Sequence, residues 1–218
     1  MSAAPPPPPP AWRKPDPLPD PVAVTERLIV RLPRLEDDEA LFEAVSGCRE
    51  QLLPWLPWAA AEHQTVGESR SFLEQMARER SAAELQNLVL FILERRGGAL
   101  VGGTGFHRLD PVHGCAEIGY WTRGDRRRRG YCREAVAGLI TAAFRDFGLR
   151  RIRICCAAPN LGSVAVIERL GLRLESRERL ERFVPGHGWV DSLAFGVLAQ
   201  EWSPEAGRVT APLARHER

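Results

Sequence analysis

The chain has 218 residues, of which 44% are hydrophobic, and a formal net charge of +2 at pH 7. This length allows one globular domain with a substantial core and excludes two large domains. The nearly balanced charge disfavours a surface built throughout for nucleic acid. Because no apolar run approaches a membrane span and the start is a proline run rather than a signal segment, we expect a cytoplasmic protein with no membrane contact.

The cysteine and histidine patterns argue against a metal. The five cysteines are odd in number and none forms a Cys-x-x-Cys pair, so reduced thiols explain them best. The five histidines are scattered, with no two spaced as ligands on one helix face. We therefore expect no bound metal ion.

Both ends of the chain differ in composition from the centre. Pro5 to Pro10 is an unbroken proline run, and four more prolines follow before position 22. We predict a disordered proline-rich tail over 1–21, a folded domain over 22–200 and a polar tail over 201–218. A ligand for an aromatic groove is the alternative interpretation of the proline run.

Between the tails the hydrophobic periodicity alternates between strand and helix, which predicts an α/β domain. A helix after position 131 is the clearest element, because its apolar residues repeat on one face and Gly148 stands where a left-handed cap belongs. The predicted elements are a strand at 25–32, helices at 35–45 and 68–80, strands at 88–93, 99–106 and 116–121, the clear helix, a strand at 151–156, a helix at 163–170, and a hairpin at 172–184 and 189–198.

A strand, a basic turn and a helix start follow one another between Glu117 and Cys132. Such a turn directs free amide groups and the positive end of a helix at one point, which suits a pyrophosphate. Gly130 permits close approach of the backbone to such a ligand. The alternative is that the arginine run 126–129 forms a solvated loop or binds nucleic acid.

This segment resembles the coenzyme-A-binding motif of the GCN5-related N-acetyltransferases (GNAT), Gln/Arg-x-x-Gly-x-Gly/Ala. Arg127, Gly130 and Cys132 take its three defined positions, while Arg128 and Cys132 depart from the usual small residues. The resemblance implies acetyl-coenzyme A as co-substrate, held by Tyr120, Trp121 and Thr122 along its pantetheine arm and by Arg127, Arg128, Arg129, Gly130, Tyr131, Cys132 and Arg133 at its pyrophosphate.

A second stretch, from Pro159 to Ser163, resembles the helix entry of the RimJ/RimL group of ribosomal-protein N-acetyltransferases. The resemblance implies that Asn160 supports the splayed strands and contacts the coenzyme; a simple helix cap is the alternative. Many relatives carry a tyrosine as general acid at the position of Ile167. The resemblance therefore suggests Ser163 as the substitute general acid, and an ordinary serine of the first helical turn is the alternative. Trp55 and Trp58 resemble the residues that line the acceptor pocket, although both also suit core anchoring.

Acetyl transfer to an amine requires a proton acceptor, and Glu117 on the strand before the turn is the candidate general base. Its alternative role is an ion pair with one of the many arginines. Cys132 is also open to two interpretations: an acyl-cysteine nucleophile, or a small residue packed beneath the turn. We favour the second, because direct transfer needs no covalent step.

The resemblance implies a GNAT fold: a mixed, mostly antiparallel sheet of about seven strands with flanking helices, splayed between the fourth and fifth strands. It also implies acetyl transfer to a protein N-terminal amine, and is compatible with a homodimer. One alternative acceptor is a small molecule such as an aminoglycoside, a polyamine or an amino acid, which Glu62, Glu68 and Glu74 near the expected pocket leave open. An alternative function is that of a non-catalytic coenzyme-A-binding or nucleic-acid-associated module.

Overall fold

The computed structural model describes residues 12–82 and 85–203. The helices and strands follow in the order β1 (Ala23–Val24), β2 (Leu28–Arg31), α1 (Asp38–Ser46), α2 (Arg49–Leu52), α3 (Val66–Arg80), β3 (Leu88–Glu94), β4 (Leu100–Asp110), β5 (Cys115–Thr122), α4 (Tyr131–Arg145), β6 (Arg151–Ala157), α5 (Leu161–Arg169), β7 (Arg173–Val184) and β8 (Gly188–Leu198). The strands form one sheet in the order β1-β2-β3-β4-β5-β6-β8-β7.

The parallel pair β5 and β6 opens the middle of an otherwise antiparallel sheet. Three residues of β5 pair with β6, from Cys115 opposite Arg151 to Glu117 opposite Arg153. Beyond that point β5 continues to Thr122 and β6 to Ala157, with no further pairing between the two described strands. The sheet therefore splays where the sequence predicted it, and the diverging strands leave room for a ligand.

Alternate residues of a strand point to opposite faces of the sheet, so one strand contributes side chains to both faces. Helices cover each of the two faces. In β3, Leu90 and Ile92 belong to the core beneath α4 and α5. Phe91 and Leu93 belong to the second core, under α1, α2 and α3. Each face is thus fixed by its own hydrophobic core, which holds the splayed centre rigidly in place.

The predicted elements are present, with one strand more than expected. The predicted strand at 25–32 is a hairpin, in which Ala23 pairs with Val30 and Val24 with Ile29. Its turn is supported by the Thr25 hydroxyl, which accepts a hydrogen bond from the Leu28 amide at 3.0 Å. The described sheet therefore has eight strands rather than about seven, while its mixed, mostly antiparallel character is confirmed.

Residues 12–21 differ from the predicted tail, because they lie against the domain. Trp12 and Leu18 pack on the larger core, and the Trp12 amide donates to the Pro111 carbonyl at 2.7 Å. The Lys14 ammonium donates to the Ala82 carbonyl at 2.8 Å. The predicted tails over 1–11 and 204–218 lie outside the described residues.

Within 12–82 and 85–203, no helix has the length and apolar character needed to cross a bilayer. In the same part of the chain, no three His, Cys, Asp or Glu side chains are grouped to hold a metal ion.

Candidate active site

A cleft of about 920 Å³ lies between the diverging ends of β5 and β6. The basic turn before α4 forms one end of it, and Glu117 and Ser163 lie among its other lining residues. Most of the predicted site residues line this cleft: Trp55, Glu117, Tyr120, Trp121, Thr122, Arg127, Arg128, Gly130, Tyr131, Cys132, Arg133, Asn160 and Ser163. The splay therefore brings together residues that lie more than a hundred positions apart in the sequence.

The turn before α4 has the backbone conformation of an anion cradle. Gly130 is the N-cap of α4 with a φ of 78°, and no side chain caps the helix there. The first amides of a helix have no partner within it, so they remain directed toward the cleft with the positive helix end. Arg128 also adopts a positive φ, 61°, which an arginine tolerates at a cost of roughly 1 kcal/mol.

The arginine run adds positive charge that the described protein does not neutralise. Arg126 pairs with Glu94 and with Asp125, at 3.2 and 2.9 Å. Among the described residues, no carboxylate lies within ion-pair distance of Arg127 or Arg128. An uncapped helix start beside uncompensated arginines suits the pyrophosphate of a coenzyme.

Arg27, on the turn before β2, braces this cradle from outside the motif. Its guanidinium pairs with Glu134 in the first turn of α4 at 2.6 Å and donates to the Arg129 carbonyl at 3.0 Å. It also lies over the Tyr131 ring, 4.6 Å from the centroid. The Thr25 hydroxyl donates to the same Glu134 carboxylate at 2.6 Å. These contacts fix the turn before any ligand arrives.

We expect Glu134→Gln to weaken coenzyme binding by about tenfold and to change the pH dependence of stability. Burial would raise the pKa of Glu134, but hydrogen bonds from Thr25 and Arg27 and the charge of Arg27 outweigh it and hold the pKa below its ordinary value of 4.5. A lowered pKa stabilises the fold above the unfolded value, and that contribution is lost as the pH falls through the folded pKa.

The wild type should therefore exceed Glu134→Gln in Tm at pH 7, and the difference should shrink below about pH 4.5. Thermal unfolding from pH 3 to 8 measures this. Glu39→Gln, an exposed carboxylate in the first turn of α1, is the matched control. A Tm difference that stays constant from pH 7 down to pH 3 would contradict the assigned role of Glu134.

At the other end of the cleft, two hydroxyl groups meet where β5 and α5 approach each other. The Tyr120 and Ser163 hydroxyl oxygens are 2.8 Å apart. Burial raises the pKa of Tyr120 well above its usual range, so the phenol stays protonated at neutral pH. Asn160 caps α5, because its side-chain oxygen accepts a hydrogen bond from the Ser163 amide at 3.2 Å. It also lines the cleft, so one position allows both the helix cap and a contact with a ligand.

Glu117 lies on β5 where that strand begins to part from β6. Its side chain is 24% exposed, and its carboxylate is 3.7 Å from the guanidinium of Arg108, which is 80% exposed. Burial and the charge of Glu117 raise the pKa of the neighbouring Cys155 to about 11, so a neutral thiol faces the carboxylate. A partly buried carboxylate at a cleft wall, in weak contact with one exposed arginine, is in a position to accept a proton from a ligand.

Cys132 is a half-buried thiol that lines the cleft, and it is not an activated nucleophile. Burial raises the pKa of Cys132 to about 12, against a smaller lowering by its hydrogen bond with Thr122. Because the thiolate is the reactive form, a thiol with that pKa is a weak nucleophile at neutral pH. This supports packing beneath the turn as the role of Cys132.

Two predicted site residues do not line the cleft. Trp58 packs in the second core, with ring centroids 6.1 Å from Trp121 and 5.8 Å from His63, as its anchoring alternative required. Arg129 contributes its carbonyl to Arg27 instead. Glu62, Glu68 and Glu74, expected near the acceptor pocket, are exposed and lie outside the cleft lining.

A cradle for phosphate, joined by a cleft to a carboxylate and paired hydroxyls, defines the class of enzyme that transfers a group from a phosphate-bearing coenzyme. A family model described as an acetyltransferase (GNAT) domain matches residues 27–173. YdaF of Bacillus subtilis (strain 168), whose name assigns it provisionally to the ribosomal N-acetyltransferases, is 32% identical over 182 residues, which are 84% of this chain and 97% of YdaF.

Solved structures share the fold. RimJ of Mycobacterium smegmatis, in complex with CoA-disulfide, superposes with a TM-score of 0.74 at 24% identity, covering 86% of this chain and 88% of that one. The microcin C7 self-immunity acetyltransferase MccE, in complex with acetyl-CoA and AMP, gives 0.71 at 23% identity, covering 80% and 93%.

The chain therefore belongs to the GNAT acetyltransferase family, in its RimJ/RimL-like group. It is an acetyl-coenzyme-A-dependent N-acetyltransferase that moves an acetyl group to an amine. The uncapped amides of the α4 start and the uncompensated charges of Arg127 and Arg128 fit the pyrophosphate of that co-substrate.

Sequence reasoning missed three side chains of the site. Tyr120 was assigned only to the pantetheine arm, although its phenol contacts Ser163. Arg27 is separated from the turn by about a hundred residues, and no local pattern links the two. Arg182 lines the cleft from β7, but its run of alternating charged residues looks like an ordinary exposed strand.

Proposed function

We propose that the enzyme acetylates the α-amine of a protein N-terminus by direct attack in a ternary complex. The observation that supports this most is that Glu117 is the sole carboxylate among the described residues lining the cleft. A single carboxylate suits an acceptor with a single amine, whereas a polyamine or an aminoglycoside carries several ammonium groups to neutralise. The provisional name of YdaF points the same way.

In the proposed reaction the neutral amine nitrogen attacks the thioester carbonyl. A carbon–nitrogen bond forms, the carbon–sulfur bond breaks, and the nitrogen gives one proton to Glu117, directly or through water. The coenzyme sulfur leaves as a thiolate and takes a proton from the Ser163 hydroxyl, which takes one in turn from Tyr120 across the 2.8 Å contact. Tyr120 regains its proton from water in the open cleft, and Glu117 gives up to water the proton it took from the amine, so both groups return to their starting forms. Much of the rate comes from holding amine and thioester together in the cleft.

Tyr120→Phe and Ser163→Ala are expected to lower kcat by about 10-fold and about 10²-fold, with little change in the KM for acetyl-coenzyme A. The phenylalanine keeps the packing and removes only the proton donor behind Ser163. Steady-state kinetics with both variants measures this. Equal kcat in wild type and Ser163→Ala would contradict the role of Ser163 as the acid that protonates the thiolate. Ser163 would then be an ordinary serine in the first turn of the helix.

Release of free coenzyme thiol tests the proposed acceptor. Peptides that begin with serine or alanine, the same peptides with blocked N-termini, aminoglycosides, polyamines and free amino acids are compared at equal concentration. We expect turnover only with the unblocked peptides. Turnover with polyamines or aminoglycosides alone would contradict the proposal, and coenzyme binding without thiol release from any amine would favour a binding module.

A further inference from the structure

The charged residues that line the cleft are strongly unbalanced. Glu117 faces six arginines, which are Arg126, Arg127, Arg128, Arg133, Arg169 and Arg182. The first four belong to the turn and the start of α4, where the coenzyme phosphates require positive charge. Arg182 is different, because it comes from β7 on the far side of the splay.

Arg182 lies near the reacting end of the cleft. The charges of Arg182 and Glu168 act in opposite directions on the pKa of the Cys156 thiol, which forms a hydrogen bond with Ser163. The Ser163 hydroxyl in turn contacts Tyr120, so the charge of Arg182 reaches the neighbourhood of the proposed acid. Its guanidinium makes one long ion pair, 3.9 Å to the adjacent Glu181, and is 39% exposed. Such an arginine is available to a ligand.

A second arginine lies on the other side of Glu117. A smaller cavity of about 170 Å³ shares Glu117 with the main cleft, and its charged lining also includes Arg108, Asp110, Arg151 and Arg153. Glu175 and Glu178 neutralise Arg151 and Arg153, the latter at 3.4 Å. Asp110 is 2.7 Å from the His113 ring. Arg108 is 80% exposed, and Glu117, at 3.7 Å, is the carboxylate it contacts among the described residues. An exposed guanidinium therefore lies on each side of the proposed acceptor site.

We propose that Arg182, together with Arg108, selects acceptor N-termini whose second to fourth residues are acidic. This rests on the proposed function, and it names the acceptor class within it. The acceptor amine goes to Glu117, and carboxylates that follow it reach the arginines at either side. A basic segment in the same place would meet like charges, which lowers both the affinity and the rate of association.

Three peptides that differ only at positions two to four test this: a Ser-Glu-Asp-Glu start, a Ser-Gln-Asn-Gln start and a Ser-Arg-Arg-Arg start. Arginine is used instead of lysine so that the N-terminus is the only primary amine of each peptide. We expect kcat/KM to fall in that order, by about 10- to 10²-fold from the acidic to the basic peptide at low salt. Added salt should reduce the difference in kcat/KM between the acidic and the basic peptide.

Arg182→Gln should reduce the acidic-to-basic ratio to about threefold or less, and should leave the KM for acetyl-coenzyme A unchanged. Arg179→Gln, an exposed position on the same strand and outside the cleft lining, is the matched control and should keep the full ratio. Free glutamate, which carries acidic charge without a peptide, should be a poorer acceptor than the acidic peptide.

Equal turnover of the three peptides, an undiminished ratio in Arg182→Gln, or a raised acetyl-coenzyme A KM in that variant would each overturn the selection by Arg182. So would a preference for free glutamate. If coenzyme binds but none of the peptides is acetylated, the proposed function itself fails, and the inference with it. Turnover of all peptides without a charge preference leaves the proposed function standing and removes only the inference.

Discussion

Replacing Glu117 with glutamine is expected to lower kcat/KM for acetyl transfer by about 10²- to 10⁴-fold while coenzyme affinity stays the same. Glutamine keeps the size and hydrogen-bonding capacity of the side chain but cannot take the amine proton. The cleft offers no substitute, because the other charged groups that line it in the described structure are arginines. Stopped-assay kinetics and coenzyme titration measure the two quantities separately.

Glu43→Gln is the control for this change, since Glu43 is an exposed carboxylate on α1 that does not line the cleft. It should leave kcat/KM within about twofold of the wild type. If Glu117→Gln retained more than half of the wild-type kcat/KM, the ion pair with Arg108 would become the better account of Glu117, and the proton would have to leave by another route.

Gly130→Ala is expected to weaken coenzyme binding by about 10- to 10²-fold. The residue holds a φ of 78°, which an alanine adopts at a cost of roughly 1 to 2 kcal/mol. A Cβ at this position would lie 3.4 Å from the Arg27 guanidinium, an ordinary van der Waals contact, so the strain lies in the backbone of the turn. Loss of one charge-assisted hydrogen bond from a misdirected amide, at roughly 1.5–3 kcal/mol, accounts for this range.

Gly171→Ala separates the effect on binding from the effect on the backbone. Gly171 has a φ of 77° at the end of α5, and a Cβ there would meet no atom within 4 Å. Both variants should lose similar stability in thermal unfolding, but Gly130→Ala alone should lose coenzyme affinity in titration calorimetry. Equal coenzyme Kd in the two variants would show that the turn does not hold the phosphates.

The sequence predicted the parts of the fold and site that local patterns encode. The apolar stripe of α4 and the left-handed Gly148 after it follow from local patterns, and the splay at the centre of the sheet follows from the family resemblance. The eighth strand was missed because Ala23–Val24 is too short to show alternation. The Thr25 turn that creates it depends on one hydroxyl.

Contacts between distant segments could not be predicted in this way. The family resemblance implied an acid on α5, and Ile167, in the usual position of that acid, is buried in the core. Nothing in the sequence indicated that the Tyr120 phenol reaches the same helix from β5. Arg27 and Glu134 form their ion pair across 107 positions, and only the packing of β2 against α4 brings them together. Trp58 could line a pocket or fill a core, and its contacts with the rings of Trp121 and His63 place it in the core.

N-terminal acetylation is tested directly by incubating the purified enzyme with acetyl-coenzyme A and a serine-started acidic peptide and locating the added group by tandem mass spectrometry. We expect one acetyl group on the N-terminal nitrogen, formed in equal amount with free coenzyme thiol, and almost none with Glu117→Gln. Thiol release without acetylated peptide, or acetylation that Glu117→Gln leaves unchanged, would contradict the proposed reaction.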